Sequence, residues 1–254
     1  PALLALLCCT ACSAARPEPP APPPHAHADG TRASAGSGAV RADLHIHLTM
    51  DRAAKPVFKG SAGDPLLAGS PGVILRNQID VDTLAQSGVR LLVGAVWPPF
   101  RLRPGRTERD EALHQLIGLR RFAGATRGIT LARSAGHARA LLRDGHVVVI
   151  PAVEGGEGLR AVEDVDLYFA AGARVVTLVH FTSNELGGAA HGQLGRVLGL
   201  RSARVSENGL TEHGRAVVRR LIELGMVIDL AHASDRTMQD VLDITEPLGV
   251  PVLY

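Results

Sequence analysis

The sequence predicts an α/β fold, a (β/α)8 TIM-type barrel of which about six strands are present. Short apolar runs alternate with stretches of helical periodicity, which indicates repeated βα units and a parallel sheet. The run at residues 147–150 is apolar at every position, as is typical of a strand covered on both faces. Alternation alone fits a doubly wound sheet equally well. Candidate site residues cluster where the apolar runs end, and this favours a barrel, whose sites lie at the carboxyl ends of its strands.

Each element of this fold follows from a local pattern. Apolar runs predict six strands, at residues 40–48, 90–96, 146–153, 174–180, 226–232 and 251–254. Helical spacing between them predicts helices at residues 108–122, 131–143, 160–171, 212–224 and 235–244. The clearest helix is 212–224, where Val217, Leu221 and Leu224 recur at helical spacing. Thr211 is placed to cap this helix and Gly225 to end it.

Composition limits the class of protein. The chain has 254 residues, of which 46% are hydrophobic and 20% charged, a balance that supports a buried core. This excludes disorder over the whole length and a collagen-like or coiled-coil fibre. The net charge of +2 and the aromatic content of 3% argue against a nucleic-acid partner.

The first 15 residues have the character of an export signal. Residues 2–15 are small and apolar, too short a run to span a bilayer, and contain all three cysteines. The pair Ala11-Cys12 resembles the lipidation site of a bacterial lipoprotein. An ordinary signal with incidental cysteines is an equally good interpretation. We therefore expect an exported protein that is periplasmic or is anchored to the membrane through Cys12.

A tether follows the signal. Residues 16–38 are rich in Pro, Ala, Ser and Gly and predict a disordered linker, in which His25 and His27 are solvated. Residues 39–254 are the predicted barrel. The sequence starts at Pro1 and stops inside an apolar run, so we expect it to be a fragment that lacks the signal's start and the last barrel units.

Histidines and a glutamate form the candidate metal site. His45 and His47 lie two apart on the first predicted strand and therefore point to the same side. Glu154 follows a run of apolar residues, where a charge is costly unless it is compensated. His180 and His232 end two later apolar runs. Imidazole and carboxylate groups together are typical ligands of a hydrolytic metal site.

Two further polar residues are weaker candidates. Asp229 alternates with His232 along the fifth apolar run, which predicts that it points to the opposite face and has a structural role, such as support of a helix terminus. His191 lies in a glycine-rich loop, where it lines the pocket or, as we favour, is exposed.

The motifs around these residues resemble a known family. The stretch GLTEHGRAVV at residues 209–218 and LGMVIDLAHAS at 224–234 closely resemble the membrane dipeptidase (renal dipeptidase-like) family of metallopeptidases, in the amidohydrolase superfamily. VEGG at 153–156 and GARVVTLVH at 172–180 fit the same family in the same order. The resemblance covers roughly residues 39–254.

That resemblance implies a (β/α)8 barrel with two zinc ions. Glu154 would bridge the ions, His232 would bind one of them and His180 would contact substrate. His45 matches the family's first ligand. His47 stands where the family usually has Asp, although the wider superfamily commonly has His. The resemblance also implies a further Ser-His ligand, an Arg and an Asp beyond the end of this sequence, and a homodimer.

The predicted function is zinc-dependent hydrolysis of dipeptides by a metal-activated water, with Glu154 and His180 as the catalytic residues. Binuclear sites lower the pKa of a bound water and polarise the scissile carbonyl, while His180 would hydrogen-bond the developing oxyanion. Two alternatives remain open. One is another amidohydrolase activity, on a lactone, a phosphotriester or an N-acyl amino acid. The other is an inactive, membrane-tethered binding protein.

Overall fold

The computed structural model describes residues 40–48, 84, 87–98, 105–190 and 208–254. The signal segment with Cys12 and the linker with His25 and His27 fall outside these residues. The division of the chain into signal, tether and barrel therefore stays a prediction. Within the described part of the chain, no helix has both the length and the apolar character that a bilayer crossing requires.

Seven strands and five α-helices alternate along the described residues. The strands are β1 (Arg41–Ile46), β2 (Val89–Val96), β3 (Ile129–Leu131), β4 (Val147–Glu154), β5 (Val175–Thr177), β6 (Val227–Asp229) and β7 (Val252–Leu253). The helices are α1 (Glu108–Ala125), α2 (Ala135–Arg143), α3 (Asp164–Ala171), α4 (Glu212–Glu223) and α5 (Asp235–Thr245), and a 3-10 turn (Glu246–Leu248) follows α5.

All strand pairs are parallel, so the carboxyl ends of the strands meet at one edge. The order across the sheet is β1-β2-β4-β5-β6-β7. The short strand β3 pairs with the first half of β4, and β5 pairs with its second half. Parallel pairing of successive βα units confirms the predicted α/β class.

The strand β3 is absent from the six predicted strands. Its three residues lie between Gly128, which has φ +83°, and the cap of the next helix. The prediction that this helix starts at Leu131 is therefore wrong, because Leu131 is the last residue of β3. The helix starts at Ala135, and the Ser134 hydroxyl caps it by accepting from the backbone N–H of His137. A strand of three residues is too short to show a period.

The predicted caps of α4 are present. Thr211 adopts an extended conformation, and its side chain accepts a hydrogen bond from Gly214 N. Gly225, with φ +66°, follows the C-cap residue Leu224. The helix buries Val217, Val218 and Leu221 in the main core.

Candidate metal centre

Glu154 lies at the centre of the sequence-predicted site. It is the last residue of β4 and is only 5% exposed. Four imidazole Nε2 atoms surround its carboxylate. Those of His45, His180 and His232 lie 3.4, 3.2 and 3.3 Å from Oε1, and that of His47 lies 3.1 Å from Oε2. The structure therefore brings Glu154 together with the four predicted histidines. In the sequence, His45, His47, His180 and His232 lie 109, 107, 26 and 78 residues from Glu154.

The end of β1 presents His45 and His47 as a pair. Their Nε2 atoms are 3.3 Å apart. Nδ1 of His47 lies 3.2 Å from the carbonyl oxygen of Ala95 on β2, which can fix the orientation of the ring. A hydrogen bond at the far nitrogen is the usual way in which a protein orients an imidazole that binds a metal.

His180 contributes a buried imidazole from the segment after β5. Its side chain is 4% exposed, and Nδ1 has no hydrogen-bond partner in the described part of the chain. Burial lowers the pKa of His180, although Glu154 opposes this effect. The ring is therefore neutral near pH 7, as both a metal ligand and a neutral hydrogen-bond donor require.

His232 lies in a turn that follows β6. Its φ of +66° is the only positive value among non-glycine residues in the described ranges. Such a backbone is costly unless the surroundings enforce it. Ala190 N donates to the carbonyl of His232 (2.8 Å), and Ala233 N donates to that of Leu230 (3.0 Å). These bonds hold the turn that aims His232 at Glu154.

The prediction that Asp229 points to the opposite face is wrong. Glu154, Thr177 and Asp229 are paired in register across β4, β5 and β6, so the three side chains point to the same face. Asp229 accepts hydrogen bonds from Thr177 Oγ1 (2.6 Å) and Ala231 N (3.0 Å), which tie β6 to β5 and to the turn that carries His232. Because β6 ends at Asp229, strand alternation does not extend to His232.

The donor set fits divalent cations. His45, His47 and Glu154 form one group of three, and Glu154, His180 and His232 form a second that shares the glutamate. Nitrogen and oxygen ligands about 2.0–2.1 Å from a tetrahedral ion lie roughly 3.3 Å from one another. The contacts of 3.1–3.4 Å around Glu154 match that spacing. His180 is as close to Glu154 as His232 is, so it can act as a ligand as well as a substrate contact.

The electrostatics of the centre keep its carboxylate charged. Burial alone would raise the pKa of Glu154, but hydrogen bonds from the four histidines outweigh it and hold the pKa well below the usual range. The same contact raises the pKa of His45. A buried carboxylate that stays ionised among imidazoles is suited to bind a cation.

Sequence reasoning missed one acidic residue beside the centre. Glu157, in the loop after β4, has its Oε2 buried without a hydrogen-bond partner among the described residues. Burial raises the pKa of this carboxyl to about 7, and the negative charges of Glu108 and Glu154 add to that effect. A hydrogen bond from Asn184 opposes it. No run or motif marks Glu157, because its burial depends on how the loop packs.

We expect Glu157 to make the protein less stable as pH rises. The folded state holds its proton up to about pH 7, whereas the unfolded chain releases it near pH 4.5. The free energy of unfolding should therefore fall between these two pH values, by up to about 3 kcal/mol. Glu157→Gln should remove this loss. The variant's free energy of unfolding should therefore match that of the parent at pH 4 and exceed it at pH 8. Urea unfolding at both pH values measures the effect, and a parallel pH dependence in the two proteins would contradict it.

His191, the weaker pocket candidate, lies outside the described residues.

Comparisons with known proteins identify relatives of this chain. The family profile described as membrane dipeptidase (peptidase family M19) matches residues 52–254. An uncharacterized dipeptidase of Schizosaccharomyces pombe is 35% identical over 104 residues, which are 39% of this chain and 22% of that protein. A dipeptidase of Claviceps purpurea is 30% identical over 95 residues, which are 36% of this chain and 20% of that protein.

Solved structures show the same fold. A metallopeptidase classed in family M19 superposes with a TM-score of 0.60 at 21% identity, over 80% of this chain and 60% of its own. A metallopeptidase of Rhodobacter sphaeroides, bound to a phosphinate mimic of L-Ala-D-Ala, gives 0.59 at 20% identity, over 80% of this chain and 62% of its own.

The chain thus spans about three fifths of these structures, and its matched segments span about a fifth of the curated relatives. The predicted TIM-type architecture is confirmed as a curled parallel half-barrel, with six strands in the main path and β3 beside them. With four fifths of its length matched by the family profile, the chain belongs to the membrane dipeptidase family, peptidase family M19.

Proposed function

We propose that this chain carries the metal centre of a zinc-dependent dipeptidase, which hydrolyses the amide bond of a dipeptide with water. The observation that carries the proposal is the buried Glu154 carboxylate with four imidazole nitrogens within 3.1–3.4 Å, in a chain of the M19 family. Catalytic sites of barrels lie at the carboxyl ends of the strands, which is where these residues meet.

The residues of the chain have separate roles in this proposal. His45 and His47 would hold one zinc ion, His232 would help to hold a second, and Glu154 would lie between the two. Bound zinc supplies a water of lowered pKa and a Lewis acid for the scissile carbonyl. His180, neutral because it is buried, would direct an imidazole N–H at the oxygen that becomes negative during attack. The Ala95 carbonyl would keep the ring of His47 in place.

Dipeptides are the substrate class that the relatives support. Both curated relatives described above carry the name dipeptidase, and one structural neighbour holds a mimic of L-Ala-D-Ala. We therefore extend the proposal to dipeptides with a D-residue at the C-terminus.

Metal removal tests the proposal directly. We expect the purified protein to bind up to two zinc ions per chain, to lose dipeptidase activity on dialysis against a chelator, and to regain it when zinc is added back. Elemental analysis and a dipeptide panel that includes L-Ala-D-Ala measure both properties. A zinc-loaded, full-length protein that cleaves no dipeptide would refute the proposal.

One feature favours a second candidate function. His47 gives the His-x-His pattern in place of the expected His-x-Asp, and this pattern fits other amidohydrolase reactions. Lactones, phosphotriesters and N-acyl amino acids therefore belong in the same panel. Turnover of one of these at a rate well above that of every dipeptide would favour the second function, and a folded protein without bound metal would favour an inactive binding protein.

Export, a lipid anchor and a homodimer complete the proposal. The apolar segment with Cys12 supports export, and Cys12→Ala should release the protein from membranes if that cysteine is lipidated. Unchanged partitioning would exclude the anchor. The mass of the purified protein in solution tests the dimer.

A further inference from the structure

Beside the metal centre lies an aromatic surface that no predicted role uses. We propose that Trp97 is the wall of a substrate subsite that selects dipeptides with an apolar side chain next to the scissile bond. The inference rests on the proposed dipeptidase function and names the side-chain chemistry that the same site would accept.

The indole of Trp97 is in ring contact with the candidate site. Its centroid lies 5.3 Å from that of His180, with the rings nearly perpendicular at 81°. The ring of His180 in turn meets that of His232, 4.5 Å away. The ring of His180 therefore contacts both the indole of Trp97 and the imidazole of His232.

Exposure identifies Trp97 as the accessible member of the aromatic cluster. Phe181 packs against His180, 3.7 Å between ring centroids, and lies 6.2 Å from Trp97. Phe181 and His180 are 8% and 4% exposed, whereas Trp97 is only partly buried. A ligand at this edge of the sheet would thus touch the indole, with Phe181 as its apolar support.

The backbone of Trp97 is held by a dedicated contact. Strand pairing between β2 and β4 ends at Val96, one residue earlier. Beyond that point the backbone of Trp97 is bonded by the amide side chain of Gln115, which lies on α1 and is 7% exposed. Its Oε1 accepts from Trp97 N (3.1 Å), and its Nε2 donates to Trp97 O (2.7 Å). Both halves of this buried amide thus bond to one residue just beyond the strand end, which holds the backbone that carries the indole.

A fixed, partly exposed indole has a defined chemical preference. It offers a large apolar surface at little cost in conformational entropy, because the side chain is already ordered. Contact with this surface favours aliphatic and aromatic side chains over glycine by about 10- to 100-fold in kcat/KM, the usual range for filling an apolar pocket. It does not favour an acidic side chain, which would have to leave water.

The test compares Trp97→Ala and Trp97→Phe with the parent on dipeptides in which glycine, leucine, phenylalanine, lysine or aspartate occupies each position in turn. We expect the parent to prefer leucine or phenylalanine at one position at least 10-fold over glycine. Trp97→Ala should lose most of that preference, measured for each protein as the ratio of kcat/KM for the apolar dipeptide to that for Gly-Gly. Ile117→Ala is the matched control, because it removes an exposed apolar side chain on α1. This variant should keep the preference.

A binding measurement avoids dependence on turnover. Trp97 is the only tryptophan in the chain, so fluorescence excited at about 295 nm reports on this position alone. A phosphinate mimic of an apolar dipeptide should shift the emission of the parent with saturation. Calorimetry should show at least 10-fold weaker binding of the same mimic to Trp97→Ala and little change for the mimic of Gly-Gly.

The outcomes separate the two proposals. If neither cleavage of dipeptides nor binding of the mimics occurs, both fail. If dipeptides are cleaved but Trp97→Ala discriminates between them as the parent does, or loses activity on all of them equally, the subsite is refuted and the dipeptidase stands. A preference of the parent for lysine would also refute the subsite alone. Should Trp97→Ala fail to fold by circular dichroism, Trp97→Phe decides, because a smaller ring must move the preference toward larger side chains.

Discussion

Glu154→Gln should weaken metal binding at both candidate groups and reduce turnover by roughly 1000-fold or more. Glu154 is the one residue that the two groups share, and its two carboxylate oxygens are contacted by four imidazoles. Gln has nearly the same shape, yet it removes the negative charge that offsets two cations in a buried site. It also puts an NH2 group, a donor that cannot bind a metal, in place of one ligand atom.

The measurement is the zinc content of the purified variant, with the affinity for added zinc determined by calorimetry. We expect fewer than half the zinc ions of the parent and a loss of affinity at every remaining site. Glu185→Gln is the matched control, because Glu185 is exposed and only pairs with Arg160 at the surface, where such pairs contribute little. If Glu154→Gln binds zinc as the parent does, the metal centre does not lie at the end of β4.

The five residues of the centre could be predicted because they lie at or near the ends of apolar runs. In a parallel sheet all such ends meet at one edge, so a local pattern already fixes a non-local meeting point.

What the sequence could not predict depends on contacts between distant segments. Asp229 was assigned to the wrong face because strand alternation was carried past the point where β6 ends, into a turn with a left-handed His232. The role of Gln115 depends on a contact with Trp97, 18 residues away, that no periodic pattern encodes. Burial of Glu157 likewise results from the packing of a loop.

The family comparison and the site geometry answer different questions. The profile match places the chain in M19, while the structural matches, at about 20% identity, establish the fold. The preference for particular substrate side chains is a separate property. That preference depends on side chains around the centre, which is why Trp97 matters more for specificity than the ligands do.

Gly214→Ala should destabilise the fold by about 3 kcal/mol and lower the melting temperature by about 10 °C. Alanine ordinarily stabilises a helix interior relative to glycine, so the helix propensity alone predicts the opposite sign. At Gly214, on the first turn of α4, an added Cβ would collide with the backbone carbonyl of Leu186, which cannot move as a flexible side chain does. That carbonyl also accepts a hydrogen bond from Thr211 N (2.9 Å), so moving it weakens the start of the helix.

Gly118→Ala is the matched control, because Gly118 lies inside α1 and its Cβ would meet open space. It should raise the stability by up to about 1 kcal/mol. Thermal unfolding followed by circular dichroism measures the melting temperature of both variants. If both substitutions change it in the same direction, the close approach at Leu186 is unimportant.

The effect of Gly214→Ala should also reach the metal centre, because Leu186 is connected to the segment that carries His180. Leu186 N donates to Asn184 Oδ1 (2.9 Å), and Asn184 Nδ2 donates to the carbonyl of Leu178 (2.8 Å), two residues before that histidine. Displacing Leu186 should therefore loosen His180 and weaken zinc binding at temperatures well below the melting point. A variant that is less stable yet binds zinc with unchanged affinity would show that α4 supports the fold alone. Weaker binding by the folded variant would show that the helix also holds the site in shape.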